Sequence, residues 1–342
     1  LRDSAALLEK HQSNRPTSAT SEADLLPATE VREILSLGTV VFRRASTLDR
    51  DLPAVPALVP FVDQGHLIIE ATSGTSDAPA PAFKALMTSL VAQTFAAAPP
   101  GQMVVTVFNP RSSKVLAGYR PTGAEEAGLL KILQPTKEAF EKSLEEQLTF
   151  SQRVESSIGT YGSLGDLVRQ TGQHEHQYHA LVIIDGPSDW TSKSVDLLEK
   201  LMASGGKAGL SILIHRDPQV ASPDRIDLGR LYKHASILKE GSDGFTLTVH
   251  GVAKDPVPVK LIDAVAEDAQ GALMRAVVKG AKTGSLPNIP FADLVVRSSE
   301  TSDRGVQISM GRKGTQVTGF KLGDTDSNIQ NLLVGGKVGS GK

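Results

Sequence analysis

The chain contains no cysteine at all, which rules out a disulfide framework and any thiolate metal site and suits a reducing, cytoplasmic compartment. It also lacks an excess charge of either sign. Lys and Arg number 36 against 38 Asp and Glu, a net of -2, so no global basic field advertises nucleic acid. Any such binding would rest on a local patch. Long apolar runs are missing too. Even Ala180–Asp185 with its flanks falls far short of the roughly 20 residues a membrane helix needs. No signal peptide and no low-complexity tract is present. What remains is 342 residues with a hydrophobic share of 40% and a charged share of 22%, the composition of a soluble globular protein. That length suits one large domain plus part of another. The chain opens on Leu1 rather than Met, which reads as a piece of a longer protein, one whose other parts leave room for a membrane anchor.

A polar, Ser/Thr/Pro-rich stretch over residues 1–38 reads as an arm. TVVFRRA (Thr39 to Ala45) is a strand candidate, followed by the proline-punctuated LPAVPALVPFV. Short apolar runs then alternate with helical patterns. HLIIEA (His66 to Ala71), QMVVTVFNP (Gln102 to Pro110), HALVIIDG (His179 to Gly186) and GLSILIHRD (Gly209 to Asp217) lack the alternation of a half-exposed strand. They read as strands covered on both faces, hence a mainly parallel α/β sheet flanked by helices. The helices are predicted over Pro81 to Ala98, Thr122 to about Glu155, Ser192 to Gly206 and Val259 to Lys282. SILKEGSDGFTLTVHG (Ser236 to Gly251) reads as a hairpin at the sheet's edge. GSLPNIPFADLV then reads as a linker, followed by two short strands, GVQISMG and TQVTGFKLG.

The sequence ends on LLVGGKVGSGK, an apolar run entering a glycine-rich loop. Gly336, Gly339, Ser340, Gly341 and Lys342 carry the G-x-x-x-x-G-K spacing of a P-loop. Glycines are needed because successive backbone N–H groups must turn toward one phosphate, through dihedrals other residues resist. Lys342 would supply the point charge, and the hydroxyl residue for Mg²⁺ would come next.

That segment resembles the Walker A strand and loop of FtsK/SpoIIIE-family motors, members of the RecA-like P-loop NTPases. HLIIEATSGTSDAPAPAFKALMTSLVAQ is similar to the same strand, loop and helix, with Gly74 kept. Asp77 stands where the lysine should be, and Ala78 where the Mg²⁺-binding hydroxyl should be. VVTVFNPR resembles the family's strand ending in Asp-Pro-Lys. ALVIIDGPSDW resembles the Walker B strand: Asp185 matches the Mg²⁺ aspartate, while Gly186 replaces the glutamate that activates water. LEKLMASGGKAGLSILIHRD is similar to the next helix, turn and strand. The resemblance runs over roughly Pro53 to Val249 plus the terminal segment.

The resemblance implies two modules, a degenerate one over 39–283 and the linker and first strands of a second over 284–342. In the first, replacing Lys⁺ by Asp⁻ a few Å from a triphosphate turns attraction into repulsion of several kcal/mol even at an effective dielectric near 20. The expectation is a pseudo-ATPase module with a structural or regulatory role, with no nucleotide and no metal of its own. ATP and Mg²⁺ would belong to the parent's second module. The parent would be a homo-oligomeric, hexameric ring translocating double-stranded DNA. The alternatives are a type VII secretion-like ATPase threading secreted proteins, and a scaffold with no motor function.

Other constellations carry less. His174, Glu175, His176 and His179 suggest zinc by residue type, but read as a solvated lead-in to a strand. The Glu/Lys-rich run Ala124 to Gln147 reads as a solvated helical face interrupted at Pro135. Trp190 is a stacking or packing residue, and Arg43, Arg44 and Arg111 are candidate cross-subunit contacts.

Overall fold

The computed structural model describes residues 31–41, 55–172, 174–188, 190–220, 226–252, 255–284, 306–313 and 316–322. Arg43, Arg44 and the terminal loop with Gly336, Gly339, Ser340, Gly341 and Lys342 lie outside the described residues. Two compact units divide the rest. The smaller holds Val168–His174 and a hairpin of β11 (Val306–Lys313) and β12 (Gln316–Leu322), paired antiparallel.

The larger unit is built on one ten-stranded sheet. Its parallel half comes from the continuous apolar runs: β3 (Leu67–Glu70), β4 (Met103–Phe108), β5 (Leu130–Ile132), β6 (Tyr178–Ile183), β7 (Leu210–Arg216) and β8 (Ser236–Gly241). They lie side by side in the order β8-β3-β7-β6-β4-β5. Every residue of β3 and β4 is buried, as strands covered on both faces require. From β8 the sheet continues antiparallel through β9 (Gly244–Thr248), β10 (Val257–Leu261), β1 (Ile34–Val40) and β2 (Pro56–Pro60). The hairpin β8–β9 therefore lies inside the sheet, extended by three further strands rather than closing it.

The chain moves outward from β3 to β4 and β5, then returns through β6 and β7. With right-handed crossovers, this reversal puts the connecting helices on opposite faces. One face carries α1 (Pro81–Ala96), packed against α6 (Glu267–Gly284) and the 3₁₀ segment Lys114–Tyr119. Eleven of the sixteen residues of α1 are buried, on all its sides, so it is a core helix rather than an amphipathic cover. The other face carries α2 (Lys137–Ile158) against α4 (Ser192–Ser204); the short α5 (Gly229–Tyr232) and α3 (Leu164–Thr171), whose residues fall partly in each unit, are the remaining α-helices among the described residues. Phe140, Leu144, Leu198 and Leu201 fill that layer, each worth roughly 1.5–3 kcal/mol on burial.

Several expected elements are redrawn. The 122–155 helix resolves into β5 and α2, because β5 pairs in parallel with β4 and α2 starts only after Pro135, where the Thr136 hydroxyl accepts the Ala139 N–H. The 259–282 helix gives up its start to β10, pinned between β9 and β1. The first strand begins at Ile34, ahead of Thr39.

Candidate functional site

Between β3 and α1 lies the loop read as a degenerate phosphate cradle, and its course is set by two prolines. Ala78 and Ala80 each precede a proline, which disfavours helical dihedrals at both. Ala80 is extended, at φ -57 and ψ 139, and Pro81 takes the first helical position, where its missing N–H costs nothing. The helix thus starts four residues after Asp77 instead of at it. The loop closes on itself as a small hairpin, with Gly74 bridged to Pro79. The Thr75 N–H donates to the Ala78 carbonyl, the Ala80 N–H to the Ser73 carbonyl and the Ala78 N–H to the Thr75 hydroxyl. Gly74 has φ +77, and a Cβ there would stand 2.7 Å from the Ala78 oxygen and from the Ala80 nitrogen, so only glycine fits.

Carboxylates of this chain take further donors. Asp217, just past β7, accepts the Ser73 N–H at 3.0 Å and its hydroxyl at 2.7 Å. Glu240 on β8 accepts the Thr72 N–H at 2.8 Å. Burial pushes the Asp217 pKa up, but the Ser73 hydroxyl and N–H and the Gln219 N–H hold it below the usual carboxylate range. Asp77 sits exposed at the hairpin tip, 2.7 Å from the Lys114 ammonium, which lowers the carboxyl pKa and has its own raised. Neither Asp77 nor Ala78 reaches the start of α1.

Asp185 lies beyond the end of β6, at φ +54 and 2% exposed. Its neighbour is His215 of β7, fully buried. The imidazole Nε2–H donates to the Ala71 carbonyl at 2.9 Å, which leaves Nδ1 to accept the Asp185 N–H at 3.3 Å. The Phe83 ring packs on the imidazole with centroids 4.3 Å apart. One Asp185 oxygen, Oδ1, has no hydrogen-bond donor among the described residues; the His215 Nδ1 stands 3.4 Å from it but already serves as an acceptor. Gly186 is filled from the side: a Cβ there would lie 2.7 Å from Cζ2 of Trp190. Trp190 is 5% exposed and stacks over Phe140, with centroids 6.0 Å apart, so it is a packing residue.

Asp185, Ser73, Gly74, Thr75, Ser76 and Ser113, together with Arg111, line a cleft of about 210 Å³ at the carboxyl ends of β3, β4 and β6. Ligands of open α/β sheets bind in this position. Arg111 is exposed there, with no partner among the described residues. The structure thus brings Gly74, Arg111 and Asp185 together, while leaving Asp77 outside the lining. His215, Asp217 and Lys114 were not singled out from sequence; their signal was their place at or just past the carboxyl ends of apolar runs. The histidines do not converge. His176 bonds the Ser157 hydroxyl and His179 the Gln147 side chain, and no metal-holding group of three His, Asp or Glu occurs among the described residues. Nor is any described helix long and apolar enough to cross a membrane.

No family model and no curated protein matches the chain. Solved structures do resemble it. ATPases 2 and 3 of EssC from Geobacillus thermodenitrificans align with a TM-score of 0.50 at 10% identity, over 86% of this chain and 60% of that one. The cytoplasmic domain of the Thermomonospora curvata Type VII secretion ATPase EccC aligns with a TM-score of 0.51 at 14% identity, over 90% of this chain and 41% of that one. The chain therefore spans about half the length of the structures it matches. At such identities the likeness speaks for architecture, and the architecture is the α/β fold of RecA-like P-loop ATPases.

Proposed function

We propose that the larger unit is a catalytically silent module of an ATP-driven ring motor of the FtsK/SpoIIIE type, with a structural or regulatory role. The observation that carries this reading is the loop between β3 and α1. The N–H groups of Thr72, Ser73, Thr75, Ala78 and Ala80 are spent within the loop or on Asp217 and Glu240, and the helix starts at Pro81. Trp190 occupying the space over Gly186, next to Asp185, supports it as well. In the same reading, residues 284–342 introduce a second module whose Lys342 and Gly339–Gly341 backbone hold ATP and Mg²⁺, in a homo-oligomeric assembly.

The threaded polymer is a polypeptide in this proposal, supported by the likeness to EccC, a Type VII secretion ATPase, and by the lack of net positive charge. Double-stranded DNA is the competing substrate. Calorimetric titration of the chain with Mg-ATP tests the silent module: no binding in the micromolar range is expected, and micromolar binding that an Asp185→Asn change abolishes refutes it. ATPase activity of the longer protein that rises with duplex DNA and not with polypeptide would reassign the substrate.

A further inference from the structure

A second cleft, of about 170 Å³, opens beside the first at the carboxyl ends of β4 and β5, with Ser113 in the walls of both. Its floor is apolar: Val91 of α1, Val107, Leu130, Ile132 and the ring of Tyr119, whose hydroxyl is turned away to the Thr88 carbonyl. Its rim is cationic, made by Lys114 and Arg120, and no carboxylate lines it. Arg120 has no ion-pair partner among the described residues, and the buried Ser113 hydroxyl has no hydrogen-bond partner. The wall between is braced, because the Asn109 side chain both donates to the Ser113 carbonyl and accepts the Ser113 N–H.

We propose that this cleft binds a small anionic ligand whose body is about the size of one aromatic ring. The volume slightly exceeds the ~150 Å³ of an apolar cavity known to accept benzene. The chemistry is that of a ligand site, an apolar bed with a few polar groups to fix orientation. The ring lies over Val107 and Leu130, and the anionic group meets Arg120 and Lys114. Lys114 also holds Asp77 at the tip of the loop, so the ligand competes with Asp77 for the same ammonium. Occupancy of this cleft is thereby coupled to the loop that borders the neighbouring one. This inference does not depend on whether the module hydrolyses ATP.

The probe is 4-fluorobenzenesulfonate, followed by fluorine NMR, with 4-fluorobenzyl alcohol as its neutral counterpart. Saturable one-site binding of the sulfonate is expected. Arg120→Gln weakens it roughly two- to fivefold, the range of an exposed charge contact. Asp77→Asn tightens it by a similar factor, by releasing Lys114. Both residues are exposed, so the variants fold, and neither changes binding of the neutral alcohol. Absence of saturable sulfonate binding, or affinity unmoved by both substitutions, overturns the proposal.

Discussion

Gly186→Ala is the smallest change that asks why no side chain follows Asp185. The added methyl would lie 2.7 Å from Cζ2 of Trp190 and 3.3 Å from Cε2 and Cη2, where ordinary contact begins near 3.4 Å. The indole must therefore retreat by about 0.7 Å, the difference between 3.4 and 2.7 Å. It has little room to do so, being 5% exposed and stacked on Phe140, which is itself stacked on Phe108 at 4.2 Å. Overpacking of this kind costs about 1–3 kcal/mol, or roughly 2–10 °C in Tm for a domain of this size. Thermal unfolding followed by circular dichroism reads the loss. Trp190→Leu supplies the control: it is destabilising itself, but it removes the obstructing ring atoms. In that background Gly186→Ala should cost less than about 0.5 kcal/mol, giving a coupling of at least about 0.5 kcal/mol. Equal costs in the two backgrounds would show that the indole does not exclude a side chain at 186, and the steric account would be wrong.

Two further changes probe the loop and the core. Asp77→Lys with Ala78→Ser supplies the lysine and the hydroxyl of a Walker A motif, yet it leaves Ser76, Pro79 and Pro81 in place and α1 starting at residue 81. Mg-ATP binding is expected to stay absent in calorimetry, and micromolar affinity in that double variant would show that charge, not backbone, silences the loop. His66 is buried with both ring nitrogens engaged, Nε2–H donating to the Met202 carbonyl at 3.0 Å and Nδ1 accepting the Ile212 N–H at 3.1 Å. Burial lowers its pKa to about 4, while the unfolded chain titrates near 6.5. The unfolded state then binds the extra proton first, so stability falls as pH drops from about 6.5 to about 4, by up to roughly 3 kcal/mol, and levels off below. Urea midpoints at pH 7.5 and 4.5 should differ less in His66→Gln than in the parent chain; an identical difference counts against this assignment. His179, lowered to about 4 by burial and then by Lys131, keeps part of the slope in the variant.

The parallel half of the sheet was legible because burial on both faces leaves unbroken apolar runs, and β3, β4, β6 and β7 all carry one. β5 was not legible, since three residues hold no period, and what makes them a strand is β4 beside them. The outer strands were hidden for a different reason. β10 and β1 pair across more than 200 residues, as Thr39 with Lys260, and nothing local in either records that partner. At the site, residue types and spacing marked Gly74, Asp77, Asp185 and Gly186, but spacing says nothing about where a side chain ends up. By resemblance Asp77 takes a lysine's place, while in the structure it sits exposed at the hairpin tip beside Lys114.

The prolines at 79 and 81 held that information, and their consequence is larger than the charge change. A lysine replaced by aspartate alters one electrostatic contribution and leaves the N–H groups free to bind an anion. A helix that begins only at residue 81 leaves the loop to fold on itself, and the N–H groups of Thr72, Ser73, Thr75, Ala78 and Ala80 then find acceptors in Glu240, Asp217, Ala78, Thr75 and Ser73. Each hydrogen bond made this way contributes about 0.5–1.5 kcal/mol to the folded state, more to a carboxylate, so the closed loop is a stable alternative and not a cradle waiting for phosphate. Asp185 lines the cleft with Gly74 and Arg111, with its Oδ1 lacking a donor among the described residues and with His215 fixing its backbone. Its burial costs free energy, and no hydrogen bond to Oδ1 among the described residues offsets it. A module that had become pure scaffold would gain by an alanine or asparagine there, so Asp185→Asn should raise the unfolding free energy if scaffolding is its entire role.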